Sequence, residues 1–331
     1  MPEPLRRPAG SNQYARRAAG RPLPVLPPAK LVAQAGRSSQ RHRCKDIWGG
    51  KCQALIGPPD WSHKRHPTQA AKMYMAINPR VLPAVLGHLS CDPQTRVRHY
   101  VASNISAPIS ILGRLSRDRS SEVREAVASN RSSSPAILGR LSRDQARDVR
   151  VSVAGNTSCP AEVLDQMSLE LGQELYSIVC WRIAGNPSSP PHLLERLSHS
   201  PDRFTQENVA ANPSSPPTAI VRLSRHQYED IRRHAATNRA CPPATLAALS
   251  QDQNIMTRAA VAGNPSSPAE ILHQLSADQE WIIRRSAASN PSCPVVLLNQ
   301  LLRDPNREVV DAAAQNPGLP RAALAMWQLA H

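Results

Sequence analysis

Residues 261–278 read VAGNPSSPAEILHQLSAD, and this stretch decides the fold because it recurs along the chain. With Asn264 as the anchor, equivalents fall at Asn78, Asn104, Asn130, Asn156, Asn186, Asn212, Asn238, Asn290 and Asn316. Every step is 26 residues except that from Asn156 to Asn186, which is 30. Self-similarity at a short fixed period marks a repeat architecture. Each unit is too thin to bury its own apolar face and becomes stable only when stacked.

Other positions keep step with the anchor. Two residues before it stands Ala in all ten units, from Ala76 to Ala314. Eight residues after it comes Leu or Ile, and eleven after it Leu, with Met167 and Trp327 as the exceptions. Apolar offsets seven, three and two before the anchor share one helical stripe, and offsets seven, eight and eleven after it share another. The pattern predicts two short helices per unit, with room for about two turns each, one of them 3₁₀-like. Ala at every unit predicts close helix–helix approach. Ser-Ser-Pro reads as the start of the second helix, Ser as its N-cap and Pro in its first turn. The Asn row reads as structural: a left-handed residue closing the first helix, its amide bonding neighbouring backbone.

The repeats, as in VRHYVASN (97–104) and GNPSSPAEILHQLSAD (263–278), resemble the variant leucine-rich repeat family, whose pattern is VRxxVAxNPSSPxxLLxxLxxD. The resemblance covers about residues 69–331 and implies an all-α, right-handed superhelical solenoid of α and 3₁₀ helices in about ten repeats. It implies little about activity. The ordinary β-strand leucine-rich repeat fits less well, since its alternating L-x-L signature is missing before each Asn. Some family members hold an iron–sulfur cluster in a Cys-rich N-terminal domain. Here only Cys44 and Cys52 precede the repeats, so no cofactor is carried over.

Composition is compatible with thin aliphatic layers: aromatic residues make up 3%, with a single Phe. The net charge of +15 is uneven, since residues 1–68 hold 13 basic and 3 acidic side chains. That segment is expected to be a largely disordered Arg/Pro-rich region, with a small ordered patch at 41–66, ahead of a solenoid over 69–331. Seven Cys at irregular spacing make no disulfide framework. No apolar run approaches a membrane span, and the early apolar stretch is broken at Pro22, Pro24, Pro27 and Pro28, so a cytoplasmic location is expected.

Two further rows carry charge. Asp fourteen after the anchor is followed six residues later by Arg, in Asp92/Arg98, Asp118/Arg124, Asp144/Arg150, Asp252/Arg258 and Asp278/Arg284. This spacing is similar to the ladder of HEAT repeats, with Asp capping the next helix and Arg bridging layers. Offsets ten and thirteen supply Arg114, Arg117, Arg140, Arg143, Arg196, Arg222 and Arg225, which stacking would align into a basic stripe on an exposed face.

The array breaks in the middle, where four extra residues enter near 169–177, the Arg slot holds Cys180 and Gln206, and the Asp slot holds Glu170, Ser200 and His226. Tyr176, Trp181, Phe204 and Tyr228 cluster there, which points to recognition. Cys44, Cys52, His63 and His66 are a candidate metal set lacking the tight knuckle of common zinc sites. No Gly-rich phosphate loop, H-E-x-x-H, G-x-S-x-G or paired-Cys motif is present.

The expected function is a non-enzymatic scaffold mediating protein–protein interaction. The second reading is nucleic-acid binding through the Arg stripe and basic N-terminal segment, weakened by the scarcity of rings for stacking. The third is a HEAT-like DNA base-excision enzyme with its site in the irregular central repeats.

Overall fold

The computed structural model describes residues 68–170 and 173–330, side chains at 170, 173–177, 324, 326 and 328–330 excepted. Among the described residues there are twenty helices and no strand. They pair into ten layers, each a first helix, the anchor Asn and a second helix. Layers 1 to 3 are α1 (Gln69–Ile77) with α2 (Pro83–Leu89), α3 (Thr95–Ser103) with α4 (Ile109–Leu115), and α5 (Ser121–Ser129) with α6 (Pro135–Leu141). Layers 4 to 6 are α7 (Arg147–Gly155) with α8 (Ala161–Glu170), α9 (Gln173–Ala184) with α10 (Pro191–Leu197), and α11 (Arg203–Ala211) with α12 (Pro217–Leu223). Layers 7 and 8 are α13 (Glu229–Thr237) with α14 (Pro243–Leu249) and α15 (Ile255–Gly263) with α16 (Ala269–Leu275). Layers 9 and 10 are α17 (Trp281–Ser289) with α18 (Val295–Leu301) and α19 (Arg307–Gln315) with α20 (Arg321–Ala330).

A regular first helix has nine residues and a regular second helix seven. Both are α-helical, and the tighter 3₁₀ winding is confined to the ends, as in the bond from Val85 N to the Leu82 carbonyl at 3.0 Å. The four extra residues of the centre do not bulge out as a long loop. They lengthen the facing ends of two helices, so that α8 has ten residues and α9 twelve.

First helices pack flank to flank through the stack, while second helices lean chiefly on first helices. The contact between first helices is set by the Ala two before each anchor, fully buried from Ala76 to Ala288. Leu86, Leu112, Leu138 and their counterparts fill the space between the two rows. Burial of this kind contributes about 25 cal/mol per Å² of apolar surface, and it accrues only when a neighbouring layer is present.

The anchor Asn supplies the polar counterpart. Asn104 Nδ2 donates to the carbonyls of Ala76 (2.7 Å) and Asn78 (3.0 Å) in the preceding layer, while its Oδ1 accepts from Ser106 N (2.9 Å). The same three bonds recur at every later anchor, through Asn316, whose amide reaches Ala288 and Asn290. Asn104 sits at φ −72° and ψ 120°, so the expected left-handed conformation is corrected to an extended one. The physical reason is the bond that Oδ1 accepts from the amide two residues on, which holds an extended Asx turn whether or not Pro follows.

The Ser-Ser-Pro reading is also corrected. Ser133, Ser215 and Ser267 do not cap the second helix; their hydroxyls donate back to the carbonyls of Val127, Val209 and Val261 at the end of the first. The N-cap position falls one residue later, on Ser134, Pro216 and Pro268, and makes no side-chain capping bond. Cys159, Cys241 and Cys293 occupy the Ser slot as buried small residues, and desolvation pushes their thiols up to about 12, 12 and 11.

In the charged ladder Arg98, Arg124, Arg258 and Arg284 each pair with the Asp twenty residues later, not the one six earlier. Arg150, with Glu170 at that spacing, instead donates to the Asp144 and Gln145 carbonyls. Arg98 Nε and Nη2 grip the Asp118 carboxylate at 2.6 and 3.0 Å, while Nη1 donates to the Asp92 carbonyl at 2.8 Å. Each paired Arg thus ties two successive inter-layer turns. Arg124–Asp144, Arg232–Asp252, Arg258–Asp278 and Arg284–Asp304 repeat the arrangement, and Lys72–Asp92 fills it in layer 1. The Asp caps no helix. Its Oδ1 accepts from the amide two residues on, as from Ser120 to Asp118 at 2.9 Å.

Candidate partner-binding surfaces

The row at offset ten lies on the second helices but does not stand free. Arg114 donates to the Gly87 carbonyl at 3.0 Å and to the hydroxyl of Ser90, and Arg140 donates to Ser116. Arg196 and Arg222 reach the equivalent Ser168 and Ser198. Each guanidinium therefore leans onto the preceding layer, with its outer edge exposed.

The two halves of this row differ in charge. Arg196 also pairs with Asp165 at 2.9 Å, and Arg222 with Glu195 at 2.7 Å. The Arg222 guanidinium and a Thr218 hydroxyl hold the Glu195 carboxyl below its usual range despite burial, which acts the other way and is the larger single effect on it. Arg114 and Arg140 have no carboxylate partner among the described residues. Burial lowers the pKa of Arg140, and the like charge of Arg117 lowers it further, placing the two guanidinium groups within reach of each other's field. Arg117, Arg143 and Arg225 at offset thirteen are exposed. Where offset ten becomes Ala248, a cleft opens between α12 and α14, lined by Val221, Arg225, Thr245 and Leu249 among others.

The ring-bearing centre maps elsewhere, on the first helices. Trp181 is half-buried, with Arg182 over its ring at 5.1 Å and its carbonyl taking a 3.0 Å bond from Asn208. Phe204 opens α11 and is 57% exposed. Tyr228 directly precedes α13, with the Arg203 guanidinium 4.3 Å from its ring centroid and the His226 ring 5.3 Å away. Arg203 also pairs with Asp230 at 2.9 Å. The side chain of Tyr176 lies outside the described residues, as do Cys44, Cys52, His63 and His66. Thus the arginines and the rings, read from sequence as two candidate features, occupy two different helix rows.

The exposed apolar edge continues beyond the rings that sequence singled out. Ile255, Met256 and Trp281 are exposed at the first turns of α15 and α17; Ile255 and Trp281 stand nine residues before the anchor and Met256 eight, the register that Phe204 holds on α11. Layers 2 to 4 carry Arg96, Glu122 and Asp148 there. Aligning the repeats by their anchors shows that register turning apolar at Phe204, Met256 and Ile282, with Asp230 interrupting it in layer 7. The signal was available in the sequence, but a search for rings alone passed over Ile255 and Met256.

Among the described residues, no group of three or more His, Cys, Asp or Glu is placed to hold a metal, and no helix is long and apolar enough to cross a membrane.

No family model matches the chain, and no curated protein matches it. Among solved structures it is similar to a leucine-rich repeat variant with a novel repetitive structural motif, at 23% identity and a TM-score of 0.45, over 68% of this chain and 87% of that one. It is also similar to an engineered protein, at 17% identity and a TM-score of 0.34, over 79% of this chain and 87% of that one.

Proposed function

We propose that the chain is a non-enzymatic scaffold that binds a protein partner across its stacked layers. The observation that carries this is the apolar edge formed by Phe204, Tyr228, Ile255, Met256 and Trp281, exposed on four successive layers. Exposed large apolar side chains recurring at the starts of successive first helices are costly in water and mark a surface that another protein covers. The division of labour within each repeat supports it. Residues that recur, the Asn, Ala, Ser and Asp/Arg, are spent on bonds between layers, and the first-turn positions that vary face outward. Such a repeat keeps its fold while its surface is free to be matched to a partner.

The test is a pull-down with the full chain and with a Phe204→Ser/Trp281→Ser variant; the two residues are 57% and 39% exposed in the parent, and the variant's fold is checked by circular dichroism. A discrete polypeptide retained by the parent and lost with the variant is expected. Retention that disappears on nuclease treatment would instead establish the nucleic-acid reading, and equal capture by both proteins would remove the apolar edge as the binding surface.

A further inference from the structure

We infer that layers 1 to 3 carry a second, basic docking site on the second-helix row, built to take an acidic polypeptide segment with an apolar side chain beside its carboxylates. The inference rests on the reading of the chain as a protein-binding scaffold and adds the chemistry of what is bound.

Its starting point is the residue nine after each anchor, one helical turn behind the guanidinium of the next layer. In layers 4 and 5 this residue is Asp165 or Glu195, and it neutralises Arg196 or Arg222. In layers 1, 2 and 3 it is Gly87, Gly113 and Gly139. The same Arg-to-Ser tether is present at Arg114 and Arg140, so both guanidinium groups are held in the same pose, but the carboxylate that would satisfy them is missing. They are oriented cations awaiting an anion.

Packing does not call for these glycines. A Cβ at Gly113 would meet nothing within 4 Å, and at Gly87 or Gly139 it would make only ordinary contacts at 3.9 and 3.7 Å. None of the three has a positive φ. Gly inside a helix costs roughly 0.5–1 kcal/mol relative to Ala, so the sequence gives up stability at three successive layers. At Gly87 and Gly113 what it gains is open space beside Arg114 and Arg140; after Gly139 the next layer has Gln166 at offset ten.

The surroundings favour a polypeptide over a phosphate backbone. Ile105 and Ile109 are 62% and 60% exposed in layer 2, and Ile109 lies one turn before Gly113 on the same helix face. Phosphates make no use of exposed isoleucine, whereas an acidic chain with an aliphatic side chain meets both kinds of group. The charge to be met is concentrated in Arg114, Arg117 and Arg140, with the like-charge strain between the last two relieved by an incoming carboxylate.

The experiment measures fluorescence anisotropy of a labelled peptide of alternating Glu and Ile, and of a DNA duplex of matched charge, against the full chain. Gly87→Glu/Gly113→Glu installs the carboxylates of layers 4 and 5; Gly87→Gln/Gly113→Gln adds similar bulk without charge. The peptide is expected to bind the parent, to lose roughly tenfold or more in affinity with the Glu pair, and to change little with the Gln pair. Circular dichroism and melting temperature report that both variants are folded. Unchanged affinity in the Glu pair, equal weakening by Glu and Gln, or tighter binding of the duplex than of the peptide would each overturn the proposal. The two surfaces are separable: a partner captured by the Glu pair but lost by Phe204→Ser/Trp281→Ser leaves the scaffold standing and removes only the basic site.

Discussion

Layers 2 and 3 and layers 7 to 9 are built alike, whereas layers 5 and 6 between them keep one ladder and lose the other. In the regular blocks, every layer boundary carries both the Asn amide bonds and an Arg–Asp pair. In the centre, the Arg slot holds the buried Cys180 and then Gln206, whose amide makes only a 3.4 Å bond to the Ser198 carbonyl. At the boundary before them, the buried Nε of Arg150 has no hydrogen-bond partner among the described residues. Yet Asn186 still reaches the carbonyls of Ala154 and Asn156, both at 2.9 Å, across a spacing of 30 residues. The comparison teaches that stacking is fixed by the neutral amide ladder and the Ala contact beneath it. The ionic ladder reinforces stacking but is dispensable.

The strongest challenge to that ranking is Asn186→Ala. It takes a donor from the carbonyls of Ala154 and Asn156, the latter keeping Cys159 N at 2.9 Å, and an acceptor from the amide of Ser188. At this boundary the half-exposed Arg196–Asp165 pair is the ion pair seen among the described residues. A loss of about 3 kcal/mol is expected by urea denaturation, from three lost hydrogen bonds at about 0.5–1.5 kcal/mol each. A cost below that of breaking an ion pair would reverse the order of the two ladders.

Arg124→Met should cost less, about 2 kcal/mol. It strands the Asp144 carboxylate, whose side chain is 9% exposed, but Arg124 itself is 18% exposed and partly screened. The hydrogen bond from Arg124 holds the Asp144 carboxyl below its ordinary 3.8. A folded-state pKa that is depressed adds stability above the unfolded value, and that stability is lost as pH falls through the folded pKa. Melting curves of parent and variant should therefore differ by a constant amount near neutrality and converge in buffers well below pH 3.8.

The smallest effect sharpens the comparison from the other side. Gln206→Arg with His226→Asp recreates a rung at the twenty-residue spacing of Arg98 and Asp118, with the Ser200 carbonyl placed to accept as the Asp92 carbonyl does. A gain of about 0.5–1 kcal/mol is expected from a rung that is half exposed. It should also remove an acid-side loss. Burial, with the nearby Arg203 and Arg232, keeps the His226 pKa below 6.5, so the parent alone loses stability as pH drops below that value. A double variant less stable than the parent at pH 7 would show the centre to be packed around its missing ion pair.

Much of the fold was legible because stacking repeats a few chemical demands at fixed intervals. Asn264 and Ala262 must recur, since each layer needs the same amide and the same close approach, and the period exposes both. The exact bonds were less legible. Asp92 and Arg98 stand close in sequence, so the short spacing suggested they pair, but the Arg side chain spans a layer and finds Asp118. Ser133 precedes a helix, so it resembled a cap, but its hydroxyl donates back to the carbonyl of Val127, which also accepts from Asn130 N at 3.1 Å.

The surfaces show the same division. That Arg114, Arg140, Arg196 and Arg222 align could be counted off in the sequence, as could the concentration of rings near the centre. Which of the four are neutralised could not, because Asp165 and Glu195 lie 31 and 27 residues from their partners and meet them only across a layer boundary. Sequence alone determined the unit, its two helices and the layer count, since helix propensity, turn chemistry and apolar period act within 26 residues. Only the tertiary structure decided which row each side chain joins and which charge stays uncompensated, because those depend on contacts between layers that no single unit contains.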